Sequence, residues 1–320
     1  MAGFSTSSEY LLKVDKEEFA PFAGSQDPLA SWKLRLLRRG DLTREYLTRR
    51  VVCSPRLDEF SFLSRPLQIA PSIFQDEIRE TAVWTYHVEA KGATTRSHGS
   101  YNDRTIEFHR YRKHLIADSV AKMLGADISR KTVLDIGCNC GFFTLEMAHL
   151  NANYALGVDF RKENISQANL LKHAFGVVNA EFEIANIKDY VSDGRQFDVV
   201  LNLGLMYHLS TPYEVMKLCF ELARDFCVVD TITHTEPFSG FHVLSKDPSI
   251  SIEGDLSFEL QPTYRGILDT IMAAGFKEVV EIVAPVKGIE LYEDGSRRCL
   301  VAFKSDPEVY IKRLLGEEAR

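Results

Sequence analysis

Apolar residues keep two rhythms along this 320-residue chain. From residue 131 onward come short runs that are apolar almost throughout: "TVLDI", "YALGVDF", "AEFEIANI", "FDVVLNLG" and "FCVVDTI", then "FKEVVEIVAP" and "RRCLVAFK". Between them lie longer stretches with apolar positions three and four apart, such as "FFTLEMAHL", "ISQANLLKHAFG", "PYEVMKLCFELA" and "PTYRGILDTIMAAG". A run without polar alternation suits a strand covered on both faces, and such strands alternating with helices build a mostly parallel sheet. The pattern predicts an α/β domain over residues 105–320 with a seven-stranded, mostly parallel sheet. The link between the last two strands contains Asp294-Gly295, which allows a C-terminal antiparallel hairpin.

Residues 1–104 lack this regularity and read as an N-terminal, mainly helical extension ending in a segment that covers a site. Helical spacing is carried by "PLASWKLRLLRRGDLTREYLTRRVV". The stretch "TAVWTYHVEAKGATTRSHGSYND" suits a loop or hairpin over the site, and "RTIEFHRYRKHLIADSVAKMLG" reads as a helix closed by Gly125. Residues 235–262, punctuated by Gly240, Pro248 and Gly254, are too long for a plain connection and are expected to form a lid.

Composition narrows the function classes. A net charge of -7 argues against a general nucleic-acid coat. One local exception is Lys33 to Arg56, where eight basic residues outnumber Asp41 and Glu45; it is either a solvated face or a surface for nucleic acid. No stretch of about 18 consecutive apolar residues occurs, and "MAGFSTSSEY" lacks the features of a leader, so no membrane is expected and the protein is placed in the cytoplasm. The six cysteines follow no disulfide framework and read as reduced core residues. Cys138 and Cys140 have no second ligand pair at zinc spacing, so no metal is expected.

Chemistry gathers at "VLDIGCNCG", residues 133–141, where the first of the regular strands meets a helix. In an open parallel sheet that edge borders the ligand crevice. The dinucleotide fingerprint fails, because Asn139 and Phe142 stand where it needs glycine. The residues resemble instead the acid-x-Gly-x-x-x-Gly loop of class I S-adenosylmethionine-dependent methyltransferases, with Asp135, Gly137 and Gly141 in place. Asn139 takes the middle position, often glycine in that family, and asparagine tolerates left-handed backbone. The resemblance covers residues 105–304 and implies a Rossmann-like, doubly wound fold with S-adenosylmethionine as cofactor. It implies further that Asp159, followed by Phe160, accepts bonds from the two ribose hydroxyls, that Asn186 and Ile187 border the adenine, and that Asn202 and Leu203 border the cofactor through their backbone.

Within the superfamily, "DIGCNCGFFTLEMA" and "LGLMYHLSTPYEVM" resemble a branch containing tRNA wobble-uridine carboxymethyltransferases and many small-molecule methyltransferases. The tRNA enzyme uses a carboxylated S-adenosylmethionine, and Tyr207 matches a tyrosine of its cofactor site. Its Trp-Arg-Lys-Gly-Pro stretch has no match, the corresponding region reading "WTYHVEAKG". A missing cation leaves an extra carboxylate unpaired, so ordinary S-adenosylmethionine is expected and a small molecule ranks ahead of tRNA as the substrate.

Methyl transfer from a sulfonium needs a nucleophile held in line and water excluded. His208, beside Tyr207 after the fourth regular strand, is either a general base or a structural histidine beneath the lid; His234 is a weaker candidate. Trp84, Tyr86, His87 and Phe238 are candidates to wall the substrate, and Arg265 to neutralise an acidic one, unless it lies exposed. Three function classes follow: a small-molecule methyltransferase acting on oxygen, nitrogen or carbon, a tRNA-modifying enzyme, and a cofactor-binding regulator without turnover.

Overall fold

The computed structural model describes residues 32–37, 46–52, 61–99, 102–187, 190, 194–245, 258–283 and 289–317. Its strands are β1 (Trp32–Leu37), β2 (Tyr46–Val52), β3 (Glu89–Ala90), β4 (Ala93–Thr94), β5 (Thr132–Ile136), β6 (Tyr154–Asp159), β7 (Ala180–Ile184), β8 (Phe197–Leu203), β9 (Ala223–Ile232), β10 (Phe241–Ser245), β11 (Phe258–Pro262), β12 (Glu278–Val283) and β13 (Arg297–Phe303). The helices are α1 (Pro71–Glu80), α2 (Asp103–Lys113), α3 (Ser119–Leu124), α4 (Phe142–His149), α5 (Lys162–Ala174), α6 (Pro212–Leu222), α7 (Tyr264–Ala274), α8 (Glu290–Glu293) and α9 (Glu308–Leu315).

The main sheet has the order β1-β2-β12-β13-β9-β8-β5-β6-β7. All seven apolar runs are strands of it. Strands β5 to β9 are mutually parallel, and β13 runs antiparallel to β9 and β12, as the α/β reading requires. The chain proceeds from β5 outward to β6 and β7, then returns to set β8 on the other side of β5. Connections thus leave β5 and β8 in opposite directions, and this reversal opens a crevice at their carboxyl ends.

Two strands of the main sheet were not expected. Within the stretch read as helical, β1 and β2 form an antiparallel hairpin, and β2 continues the sheet parallel to β12. The competing signal is local: in "WKLRLL" apolar Trp32, Leu34 and Leu36 alternate with Lys33 and Arg35, which is the period of a strand. The sheet therefore has nine strands. Helix α1 is the described helix of the expected N-terminal extension.

The sheet buries a core on each face, as its doubly apolar strands require. Val133 joins Phe62, Phe74, Trp84 and α4 on one side, whereas Leu134 and Ile136 join α6 and α7 on the other. Helix α4 is buried from Phe142 to Ala148 because residues 61–64 close over it, with the Phe62 ring edge-on to Phe142 at 5.6 Å and to Phe175 at 5.2 Å. Glu146 lies inside this contact, where the Ser61 hydroxyl donates to its Oε1 and burial pushes its carboxyl up to about 7. The helix predicted to end at Gly125 is α2, a π-helical turn over His114–Asp118 and α3, closed by Gly125 at φ 57°.

The described part of the expected lid is an antiparallel hairpin, β10 against β11; residues 246–257 fall outside the described residues. Among the described residues, no helix is long and apolar enough to cross a membrane.

Candidate active site

The loop after β5 is shaped by three left-handed positions, Gly137 at φ 68°, Asn139 at φ 51° and Gly141 at φ 76°. The amides of Gly137 and Cys138 both donate to Val158 O, at 2.8 and 3.0 Å, which ties the loop to β6. Asn139 holds its strained backbone by local bonds: its Oδ1 accepts the Cys140 amide at 2.7 Å, and its Nδ2 donates to Thr85 Oγ1 at 3.3 Å. Gly141 departs from expectation. It is absent from the cavity wall, and a Cβ there would meet the Phe182 ring at 2.5 Å, so its glycine is required for packing of the loop on β7.

A cavity of about 250 Å³ opens where β5, β6 and β8 end. Asp135, Gly137, Asn139, Asp159 and Phe160 line it, as do Asn186, Ile187, Leu203, Tyr207 and His208, so these sequence candidates converge. The opposite wall is Thr85 and Tyr86 from the covering segment together with Phe108, His109 and Arg112 of α2.

Asp159 stands at the end of β6 with much of its bonding capacity committed. Its Oδ2 accepts the Asn139 amide at 2.9 Å, and its Oδ1 accepts the Arg161 amide at 2.9 Å and Asn164 Nδ2 at 3.1 Å. A carboxylate has about four lone-pair sites, so a diol would use the one left on Oδ2 and displace Asn164 from Oδ1. Asp135 is buried beneath, accepting from Thr144 Oγ1 at 2.8 Å. Burial pushes its carboxyl up to about 7; the Thr144 bond opposes the rise and the nearby Asp159 adds to it.

The inner wall carries two buried arginines that the sequence reading did not select. Arg112 Nε donates to Asp230 Oδ1 at 3.1 Å, Arg297 Nε donates to the same oxygen at 2.8 Å, and the Tyr292 hydroxyl donates to Asp230 Oδ2. Arg112 Nη1 also donates to Tyr86 Oη at 3.0 Å. The Phe108 ring faces both guanidinium groups, its centroid 5.5 Å from Arg112 and 5.4 Å from Arg297. Burial alone would raise the Asp230 pKa, but Arg297 and Arg112 outweigh it and hold the carboxyl below its ordinary value. Burial and the same arginines push His109 down to about 3, so it adds no charge. Two guanidinium ions against one carboxylate leave this wall with an excess positive charge. A signal existed in the sequence: Asp230 interrupts the apolar run "FCVVDTI", and a buried acid calls for a cation.

These arginines are cations that the sequence reading did not weigh. The lack of a matched lysine argued against a carboxylated cofactor, yet Arg297 and Arg112 line the same cavity as Tyr207.

His208 meets the lid region through its outer face. Its Nδ1 lies 3.3 Å from Glu259 Oε1 of β11. Glu259 Oε2 accepts Gln261 Nε2 at 2.7 Å, and Gln261 Oε1 lies 2.8 Å from His234 Nε2. Among the described residues, then, the hairpin supports His208 from behind and supplies none of the cavity wall. His234 is likewise outside it.

Several other candidates are placed elsewhere. Trp84 is fully buried, its indole N–H directed at Ile78 O at 3.4 Å; a large apolar ring here serves the core. His87 turns to Glu89 at 3.4 Å, and Phe238 lies exposed beside His242. Arg265 is buried within α7, 4.0 Å from Asp269, and does not reach the cavity. Asn202 points into the opposite core, its Nδ2 3.8 Å from the sulfurs of Met216 and Cys219. The described cysteines are free and buried, as expected; Cys53 lies outside the described residues. Of the basic stretch, the side chains of Arg49 and Arg50 are described, and they pair with Glu278 and Glu308 and with Glu281.

Residues 127–250 match the family model described as "Methyltransferase domain". The chain carries a methyltransferase domain of the class I, S-adenosylmethionine-dependent superfamily. Over 121 residues the chain is 28% identical to a ubiquinone biosynthesis O-methyltransferase of Neisseria meningitidis serogroup A, covering 37% of this chain and 51% of that protein. Over 99 residues it is 32% identical to a tRNA U34 carboxymethyltransferase of Campylobacter jejuni, covering 31% of this chain and 34% of that one. The chain thus spans about half or less of these relatives. The likeness of fold extends further than the sequence match: the crystal structure of the N-terminal domain of EvdMO1 with SAH bound aligns with a TM-score of 0.56 at 17% identity, covering 73% of this chain and 97% of that one.

Proposed function

We propose that this protein transfers a methyl group from S-adenosylmethionine to a small-molecule acceptor. The observation that carries the reading is the left-handed loop Gly137–Gly141, pinned by its Asn139 amide to Asp159, with its mouth on a cavity that also contains Tyr207 and His208. The residues present fit the cofactor. Asp135, a buried carboxyl poised near neutrality, suits a cationic amino acid moiety, and the spare acceptor site on Asp159 suits a ribose hydroxyl.

When bound, S-adenosylmethionine supplies an electrophilic methyl group on a sulfonium. The chain's own residues then have three tasks. The loop and Asp159 would orient the cofactor, Tyr86, Phe108 and Leu203 would exclude water, and His208 would take the proton that the acceptor loses. Glu259 beside Nδ1 favours the tautomer with that nitrogen protonated, which puts the basic lone pair on Nε2. The ion pairs of Arg49 and Arg50 with glutamates weaken the case for a nucleic-acid face there. Incubating methyl-labelled cofactor separately with cell extract and with tRNA tests the reading: label in a low-molecular-weight product supports it, and label in tRNA alone contradicts it.

A second reading is favoured by Arg112 and Arg297, whose excess charge suits an added carboxylate on the cofactor, and thus carboxymethyl transfer. Mass analysis of the nucleoside retained by the purified protein distinguishes the two.

A further inference from the structure

Outside the cavity, His234, Glu236 and His242 bring three metal-ligating atoms within 4.8 Å of one another. We propose that they form a binding site for a divalent transition-metal ion of the zinc class, which staples the end of β9 to the β10–β11 hairpin. The donor set points to the ion: two imidazoles and one carboxylate, without thiolate, suit zinc and its neighbours in the first transition row. His242 Nε2 lies 3.5 Å from Glu236 Oε2, near the roughly 3.3 Å edge of a tetrahedron with bonds of about 2.0 Å. That nitrogen is buried and makes no hydrogen bond.

The backbone holds the ligands in place beforehand. The His234 amide donates to Pro262 O at 2.9 Å, and His234 O accepts the Tyr264 amide at 2.8 Å. Further along, Gly240 O accepts the Thr263 amide at 2.9 Å, Thr263 Oγ1 donates to Phe238 O at 2.7 Å, and His242 pairs with Gln261 across the hairpin. Both ends of the 234–242 segment are therefore fixed to β11 and the start of α7.

Gln261 sets the protonation of one ligand. Its Nε2 donates to the Glu259 carboxylate at 2.7 Å, so its Oε1 faces His234 Nε2 at 2.8 Å and accepts the proton that nitrogen carries. The lone pair of His234 is then on Nδ1. An outer amide or carboxylate that fixes the tautomer of an imidazole in this way is a regular feature of metal sites. The same chain of contacts continues through Glu259 to His208, so an ion here would steady the support of the candidate base without entering the cavity.

Tag-free protein stripped with chelator and titrated with zinc chloride by calorimetry tests the site, with cobalt(II) absorption reporting the geometry. The expected result is saturable uptake of one ion per chain with a tetrahedral cobalt spectrum. Glu236→Gln, at an exposed position that leaves the fold intact, and His242→Ala should each weaken uptake by roughly a hundredfold or more, and Gln261→Ala by roughly ten- to a hundredfold. Absence of saturable uptake, or uptake equal to wild type in folded Glu236→Gln and His242→Ala proteins, overturns the proposal.

Discussion

Glu259 Oε1 lies 3.3 Å from Nδ1 of His208, joining a strand of the hairpin to a residue of the cavity wall. A carboxylate in that position orients the imidazole and stabilises the imidazolium that forms when a proton is taken. His208→Ala should lower turnover by roughly a hundredfold or more, with cofactor affinity nearly constant. Glu259→Gln keeps the shape but removes the charge; turnover should fall by at least about tenfold, and the acidic limb of its pH profile, where the base loses its proton, should move to lower pH. Steady-state kinetics beside calorimetric cofactor titrations separate this from a structural role, in which affinity and turnover would fall together.

Asp135 is predicted to couple cofactor binding to pH. Its carboxyl, pushed up to about 7 mainly by burial, is protonated in much of the unliganded protein below neutrality. Because the folded value lies above the unfolded one, ionisation destabilises the unliganded fold as pH rises from about 4 to about 7. A cationic cofactor favours the carboxylate, so affinity should rise with pH and level off above about 7, with proton release on binding below that point. Calorimetry in two buffers of different ionisation enthalpy measures the release; equal heats at pH 6 would refute the coupling.

Glu146 makes a parallel prediction for stability. Burial raises its carboxyl from 4.5 to about 7, so the wild-type fold loses stability as pH climbs through that window. Glu146→Gln keeps an acceptor for Ser61 and cannot ionise. Whatever the amide itself costs, the difference in unfolding free energy should move toward the variant by on the order of 3 kcal/mol between pH 4.5 and pH 7. Urea titrations at both ends of the window check this; a difference independent of pH would assign the effect to packing.

The parallel sheet was legible because its strands are apolar on both faces, and the loop was legible because Gly137, Asn139 and Asp159 are dictated by local backbone and by position at strand ends. What stayed hidden depends on contacts distant in sequence. Arg112 and Arg297 meet across Asp230 only when α2, β13 and β9 are assembled, and Glu259 reaches His208 only through a hairpin pairing. Trp84 and Arg265 were misplaced because residue type does not say which face of a segment turns inward. The β1–β2 hairpin was missed because alternation over six residues was outweighed by helical spacing over the longer window.

The central claim rests on Asp159, whose Oδ2 holds the Asn139 amide at 2.9 Å and offers the remaining acceptor site to a ribose. Calorimetric titration of S-adenosylhomocysteine into wild-type and Asp159→Ala protein tests it. Saturable one-to-one binding to the wild type, weakened in the folded variant by about 2 to 4 kcal/mol or roughly thirty- to a thousandfold, is the predicted result. No saturable binding to the wild type, or equal affinity in the folded variant, would contradict the assignment.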